Sequence, residues 1–545
     1  MPDRLIVPAI VIVITCLTGN HAMRAAENNP DAPAVGMYDV FEVILSSDAS
    51  FADPFVDGKA GATFTSPAGR KVEIPGFYYG DAKWMVRFAP NETGLWKYNA
   101  RLEGGPMPVT TAGTFLCTPS KHHGFLRVSK VNPYRFQYED GTPFYPIGIH
   151  LTSGLNPDFD GPGDDGGWRT VDQETWCKAF QDAVNLHRLQ LGLGDQRGCA
   201  IPVLKGIENG RVTYNLDAAA NIDDLYRTQR KYGLSQILIL YQDMSLWGNA
   251  DTPSGMGRDT TNFKSLRAKN LPLQENYIRY IVARYGAFED VWEIYNEDGY
   301  SPDDYLAHLA GVIRKADPYH HIITTTYEQP TAPWCDLVTP HEYMGIPAKD
   351  VDAYLCTQLL RFKSFGKPVL YTEFGNQGIL PNVDPIKWRI ATWTAFMNEC
   401  HILFWGTSGT KTTGRPDARG NANAYIGPED RQYFRVLQDF TSDLPIDLRP
   451  IASGYTDQQH LRTYALGNRR IAVLYVHHFS DHQKPYTLPH QLFLATGPGR
   501  YTLRWIDPAT GETVKQDKGE TTGQFLKFNI PPVKIDLACR LDRQD

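Results

Sequence analysis

From about residue 134 to residue 445 the chain repeats one grammar, a short apolar run of strand length followed by a segment of helical period. The apolar runs fall at 144–150, 186–191, 236–241, 291–295, 322–325, 337–343, 368–372 and 402–405. Clear punctuation marks the helices between them. Ser301 caps one, with Pro302 at its first position, Asp303 and Asp304 in its first turn, and Leu306, Leu309 and Ile313 as its apolar stripe. Ile278, Ile281, Val282 and Tyr285 share one face of another, which stops at Gly286, and Asp384-Pro385 opens a third. Strands that alternate with helices pair in parallel, and eight such units over about 300 residues fit a (β/α)8 TIM barrel. The fifth unit is short, because Pro330-Thr331-Ala332-Pro333 leaves little room for a helix.

The flanks read differently. Residues 37–120 and 446–545 show period-two alternation broken by regular turn signals, the pattern of β-sandwiches. Ahead of them, Arg4, the apolar stretch 5–17 and the small residues Ala22, Ala25 and Ala26 read as an export signal over residues 1–26. An uncleaved N-terminal anchor is the alternative, and nothing else in the chain has the length and apolarity of a membrane span. The expected layout is therefore signal 1–26, N-terminal sandwich 37–120, barrel 130–445 and C-terminal sandwich 446–545. A formal charge of −7 and the lack of any basic run exclude nucleic acid as a partner. Eight cysteines less Cys16 of the signal leave seven, scattered without a Cys-x-x-Cys pair, so neither a zinc ribbon nor a dense disulfide framework is expected.

Two of the apolar runs end in the same unusual way. Val291-Trp292-Glu293-Ile294-Tyr295 runs into Asn296-Glu297-Asp298-Gly299, and Pro368-Val369-Leu370-Tyr371-Thr372 into Glu373-Phe374-Gly375. A buried strand gains nothing from an unpaired carboxylate, which is costly to desolvate. The carboxyl-terminal mouth of a barrel, where active sites are built, is the place that uses one. Paired carboxylates facing one cleft are the device that cleaves a glycosidic bond, one protonating the leaving oxygen and the other acting at the anomeric carbon. Glu293 shares the strand parity of Glu297 and is expected below the site, buried and bonded.

On these motifs the barrel segment resembles the clan of retaining (β/α)8-barrel glycoside hydrolases that includes the family 5 cellulases and mannanases. Its members end the fourth strand on Asn-Glu and the seventh on a lone Glu. The resemblance implies Glu297 as acid/base, Glu373 as nucleophile and Asn296 as a hydrogen bonder to the substrate. It further implies Arg188 of Asn185-Leu186-His187-Arg188 as support for the nucleophile. His341 and Tyr343 of His341-Glu342-Tyr343 match the sixth-strand motif, and Trp405 the aromatic floor under the sugar. Asp298 stands where the clan usually has proline, unlike a standard cellulase. Gly76-Phe77-Tyr78-Tyr79-Gly80, Arg87-Phe88-Ala89-Pro90 and Gly94-Leu95-Trp96 resemble a domain of unknown function (DUF5060-like) that precedes barrels in secreted carbohydrate-active proteins. Trp505-Ile506-Asp507-Pro508-Ala509-Thr510-Gly511 resembles a C-terminal domain labelled collagen-binding.

His150, Asp243 and Trp247 lie near strand ends on the same face and are expected to contact substrate, while the doublet His477-His478 is expected at the surface. The expected protein is a secreted or periplasmic glycoside hydrolase, monomeric or a small homo-oligomer, acting on a carbohydrate without metal or cofactor. The alternatives are a non-catalytic sugar-binding barrel and a collagen-directed peptidase. The second of these lacks both a His-Glu-x-x-His and a Gly-x-Ser-x-Gly motif.

Overall fold

In the computed structural model, the described residues are 32–150, 158, 171–191, 200–201, 203–241, 263–297, 303–326, 329–376, 384–407, 425–455, 459–487 and 491–544. They divide into two units, Met1–His122 with Tyr280–Ala287, and His123–Arg279 with Phe288–Asp545. The N-terminal strands of the first unit form one seven-stranded arrangement. Its long strand Lys71–Gly80 pairs through its first half with Lys59–Thr65 and through its second with Lys83–Phe88, which bends the sheet around its own core. Phe41 stacks on Phe115 and Phe64 on Phe88 there, with ring centroids 4.1 and 4.2 Å apart.

The second unit is built on a parallel sheet. In spatial order its strands are Ile322–Thr324, Val291–Tyr295, Ser235–Tyr241, Leu186–Leu191, Ile147–Ile149, Cys400–Phe404, Val369–Asn376 and His341–Met344, with Ala200–Ile201 added beside the end of Leu186–Leu191. The sheet curls until its edges nearly meet. Residues 336–340 join them, with Asp336 N donating to Ile323 O and Leu370 N to Val338 O, at 2.8 and 2.9 Å. Helices Gln173–Phe180, Leu216–Lys231, Phe263–Tyr285, Asp303–Ala316, Val351–Lys363, Pro385–Met397 and Pro428–Thr441 alternate with the strands. Among the described residues no helix follows Ile322–Thr324, as the proline pair there predicts.

Alternation of side chains along each strand layers the inside of the curl. Leu186, Ile237, Val291, Ile322, Leu370 and Leu403 form an apolar layer near the amino ends. A small antiparallel sheet, Leu126–Val128, Phe136–Tyr138 and Pro143–Phe144, packs Leu126, Phe136 and Phe144 beneath that layer. Two residues further along, the same parity brings Arg188, Glu293 and Thr372 inward, all essentially without solvent contact. The interior therefore turns polar toward the carboxyl ends.

The C-terminal strands form two antiparallel sheets, of six and three strands, that share a core around Leu474, Leu492, Trp505 and Leu526. A second apolar cluster runs on from the parallel sheet's helices into these strands, and Trp393 stacks on Tyr475 at 5.6 Å. Next to it, Arg389 donates from Nε and Nη2 to Asp536, at 3.0 and 2.8 Å, and Tyr475 donates to the same carboxylate. His477 and His478 are buried rather than on the surface. Asp352, 125 residues away in sequence, binds His477 Nδ1 at 2.7 Å, and the Lys534 carbonyl binds His478 Nδ1 at 2.9 Å. The six described cysteines are free thiols.

Removing one member of a buried ion pair strands the other. Asp536→Asn is expected to lower the unfolding free energy by about 3–5 kcal/mol, measured by urea denaturation followed through tryptophan fluorescence. The double variant Arg389→Met/Asp536→Leu should lose less than the single one.

Candidate active site

Arg188 is the centre of the polar layer. It sits in a strand whose residues alternate between the two sides, so that His187 faces outward to Gln229 and Arg188 faces inward. Its Nε and Nη2 donate to the two oxygens of Glu293, at 2.7 and 2.6 Å. Nη1 donates to Glu373 Oε1 at 2.9 Å, and Nη2 also donates to Asn296 Oδ1 at 2.6 Å. One guanidinium thus joins the second, fourth and seventh strands in chain order. Burial alone would lower its pKa, but Glu293 and then Glu373 outweigh that and hold it above the ordinary arginine value.

Glu373 owes its position to an irregularity. The register between the seventh and eighth strands shifts between Tyr371 and Phe374, so that one extra residue is accommodated before the strand end. Its side chain is 6% exposed, with Arg188 on one oxygen and the Tyr343 hydroxyl donating to the other. Burial, then the Glu373 charge, push the Tyr343 phenol well above its usual range, so it remains a donor. Gly375 lets the chain pass the eighth strand closely, since a Cβ there would lie 1.9 Å from the Trp405 carbonyl oxygen.

Glu297 is placed by the backbone. Asn296 N still donates to Tyr241 O, continuing the parallel ladder, and Glu297 then takes φ 53, a left-handed conformation rare outside glycine. Such backbone strain costs on the order of 1–3 kcal/mol and gathers at functional sites. Its side chain is 34% exposed, far more open than that of Glu373. His341 Nδ1 lies 3.0 Å from Glu297 Oε1 and 3.5 Å from Glu373 Oε2, bridging the pair. One donor atom from each of Glu297, His341 and Glu373 lies within 4.8 Å of the others.

That trio has donor types that could hold a cation. Both oxygens of Glu373 already accept hydrogen bonds, one of them from a guanidinium, and a second positive centre there would face Arg188 at close range. The cluster is better matched to a pair of carboxylates that differ in environment.

The remaining expected residues divide. Trp405 is half-buried at the end of the eighth strand, its ring edge-on to His150 at 5.0 Å. His150 is buried, its Nδ1 2.8 Å from the Arg188 carbonyl oxygen. Burial, then the Arg188 charge, lower its pKa well below the usual value, so the ring is neutral. Asp243 and Trp247 lie outside the described residues. Thr326 was not anticipated. Its hydroxyl donates to Glu293 Oε1, and three consecutive threonines carry no signal that marks which one faces inward.

The family described as a domain of unknown function, DUF5060, matches residues 34–103, where the resemblance was expected. No curated protein matches the sequence. Among solved structures, a candidate glycoside hydrolase from Bacteroides vulgatus ATCC 8482 is similar with a TM-score of 0.63, at 18% identity, over 94% of this chain and 100% of that one. A glycoside hydrolase family 5 mannosidase from Rhizomucor miehei aligns with 59% of this chain and 98% of its own, at 15% identity and a TM-score of 0.43. The first likeness shows a shared fold over nearly the whole chain, and the second is too distant to add to it.

The tight approach at Gly375 predicts a contrast between two glycines. Gly375→Ala is expected to lower the unfolding free energy by at least about 1–3 kcal/mol, because a backbone oxygen must move. Gly311→Ala, in helix Asp303–Ala316 with nothing within 4 Å, should raise it by up to about 1 kcal/mol. Thermal and chemical denaturation of both variants checks this.

Proposed function

We propose that this chain is an exported retaining glycoside hydrolase, its site lying at the mouth of a (β/α)8 barrel. In this reading Glu373 is the nucleophile and Glu297 the acid/base. The observation that carries it is the pair itself. Glu297 and Glu373 are 76 residues apart in sequence, yet bring oxygens within 4.8 Å of each other in opposite environments. Retaining enzymes hold their carboxyl groups about 5–5.5 Å apart, whereas inverting ones need about 6.5–9.5 Å to admit a water.

Each role follows from what surrounds the group. Glu373 accepts from Arg188 and Tyr343, contacts that favour a carboxylate and aim it, as attack on an anomeric carbon requires. Glu297 stands more open to solvent at the strand end, where it can protonate a departing oxygen and later deprotonate a water. When Glu373 bonds to the sugar its charge is lost, and the Tyr343 hydroxyl is freed to turn toward the ring oxygen region. His341, between the two glutamates, orients Glu297. Asn296, fixed by Arg188, offers its amide hydrogens to the sugar hydroxyl beside the reacting carbon. Hydrolysis of the glycosyl-enzyme by water completes retention.

A panel of 4-nitrophenyl glycosides and plant or algal polysaccharides, assayed on wild type and two variants, tests this. Glu373→Gln should abolish turnover. Glu297→Gln should cut kcat/KM about 10²–10⁴-fold on polysaccharides and much less on aryl glycosides, whose leaving groups need little protonation. A 2-deoxy-2-fluoro glycosyl fluoride should leave its mass on a peptide containing Glu373. Turnover by Glu373→Gln at the wild-type rate, or labelling of another residue, sinks the assignment.

A further inference from the structure

Glu293 is a buried carboxylate for which the reaction above has no part. It lies in the strand Val291–Tyr295 with no accessible side-chain surface, and it engages Arg188 through both oxygens. The Thr326 hydroxyl donates to its Oε1 as well. Arg188 therefore presents two edges to two acids. The Nε–Nη2 edge is taken by Glu293, and Nη1 is left for Glu373. The two carboxylates and the guanidinium carry a net charge of one negative unit in a site shielded from water.

We propose that Glu293 is a positioning residue, clamping Arg188 in one orientation and offsetting its charge so that Arg188 aims Glu373 without quenching it as a nucleophile. This deepens the glycosidase reading and rests on it. A guanidinium facing Glu373 alone would concentrate its field on one carboxylate, making that group harder to protonate and a weaker electron donor. With Glu293 on its other edge, Arg188 gives Glu373 a directed hydrogen bond and only part of a positive charge. A fork with five N–H donors can serve two acids in this way, and a lysine cannot.

Among the described residues, three other titratable side chains face Glu373. His341 and Tyr343 face it from the sixth strand and Glu297 from the end of the fourth. The eighth strand brings Trp405 alongside, which does not titrate. Glu293 and Glu373 occupy different edges of Arg188, and none of these other groups stands between them and it.

The test is the pH dependence of kcat/KM, whose acid limb reports ionisation of the free enzyme's nucleophile. The probe is the 4-nitrophenyl glycoside that the wild type cleaves fastest. Glu293→Gln keeps the shape and removes the charge. Its acid limb should move down by about one pH unit, the lower end of what an opposite charge does to a carboxylate. Its kcat should fall about ten- to a hundredfold, the scale of a one-ångström misplacement, with KM little changed. Glu293→Asp, which restores the charge, should bring the limb back toward wild type. Thr326→Val removes a donor from Glu293, leaving that carboxylate a stronger claim on Arg188, and should move the limb slightly upward. A merely structural Glu293 predicts lower stability and lower kcat with the limb unmoved, and that result overturns the proposal. If Glu293→Gln does not fold, Thr326→Val decides alone, and a limb that stays or moves down overturns it. Wild-type turnover by Glu373→Gln would instead remove the glycosidase reading and this proposal together. Loss of turnover there with an unmoved limb in Glu293→Gln removes only the second.

Discussion

A guanidinium without solvent contact, lodged between two carboxylates, is the contact on which the site depends. Each ion removed from water costs several kcal/mol before anything is gained in return. Four hydrogen bonds from Arg188 offset that cost, and they fix three acceptors at once: Glu293, Asn296 and Glu373. These acceptors come from two strands that are not neighbours in the sheet. The cleft geometry is thus set across the interior by one side chain and does not rest on the pairing of adjacent strands. The strands still determine where that side chain can be. Leu186 in the apolar layer and Arg188 in the polar one are two residues apart, one step of the pleat.

The same layering separates stability from chemistry. Apolar side chains fill the amino ends, closed below by the small sheet that carries Phe136 and Phe144. Threonines and ions fill the next level, where the side chains have almost no solvent contact. An ionised group there interacts strongly with its neighbours, because the effective dielectric is low. Glu373 sits at the edge of this region and Glu297 just beyond it. The two are chemically identical and differ in what surrounds them: Glu373 accepts from Arg188 and Tyr343, while Glu297 stands more open to solvent.

Much of this was legible in the sequence, because the strongest signals are local. Strands Leu186–Leu191 and Val291–Tyr295 match the expected bounds, and Asp384 precedes the helix Pro385–Met397 as its cap position predicts. The misses have physical causes. The sixth strand begins at His341 and not at 337, since Pro340 has no N–H to give a ladder. The seventh runs on to Asn376 because the bulge before Phe374 lets pairing resume past the carboxylate. The strands that underlie the apolar layer, between 126 and 144, were not anticipated, as two- and three-residue strands leave no periodicity to read. His477 and His478 looked like surface residues because the sequence shows no partners for them at ligand spacing; His482 and Ser480 bind their Nε2 atoms, but their Nδ1 atoms are held from afar. Their partners, Asp352 and the carbonyl of Lys534, are remote along the chain.

The position of Glu373 is constrained from its far side as well. Gly375 admits the Trp405 carbonyl into the space a side chain would occupy, and Trp405 N donates to Phe374 O at 3.1 Å. The residues following Glu373 are therefore locked to the eighth strand, while Glu373 itself is locked to the second through Arg188. A carboxylate pinned from two sides is held in one orientation toward the cleft. Glu297 has the opposite support. Its backbone is strained just beyond the strand, its side chain is more open to solvent, and His341 Nδ1 lies beside it.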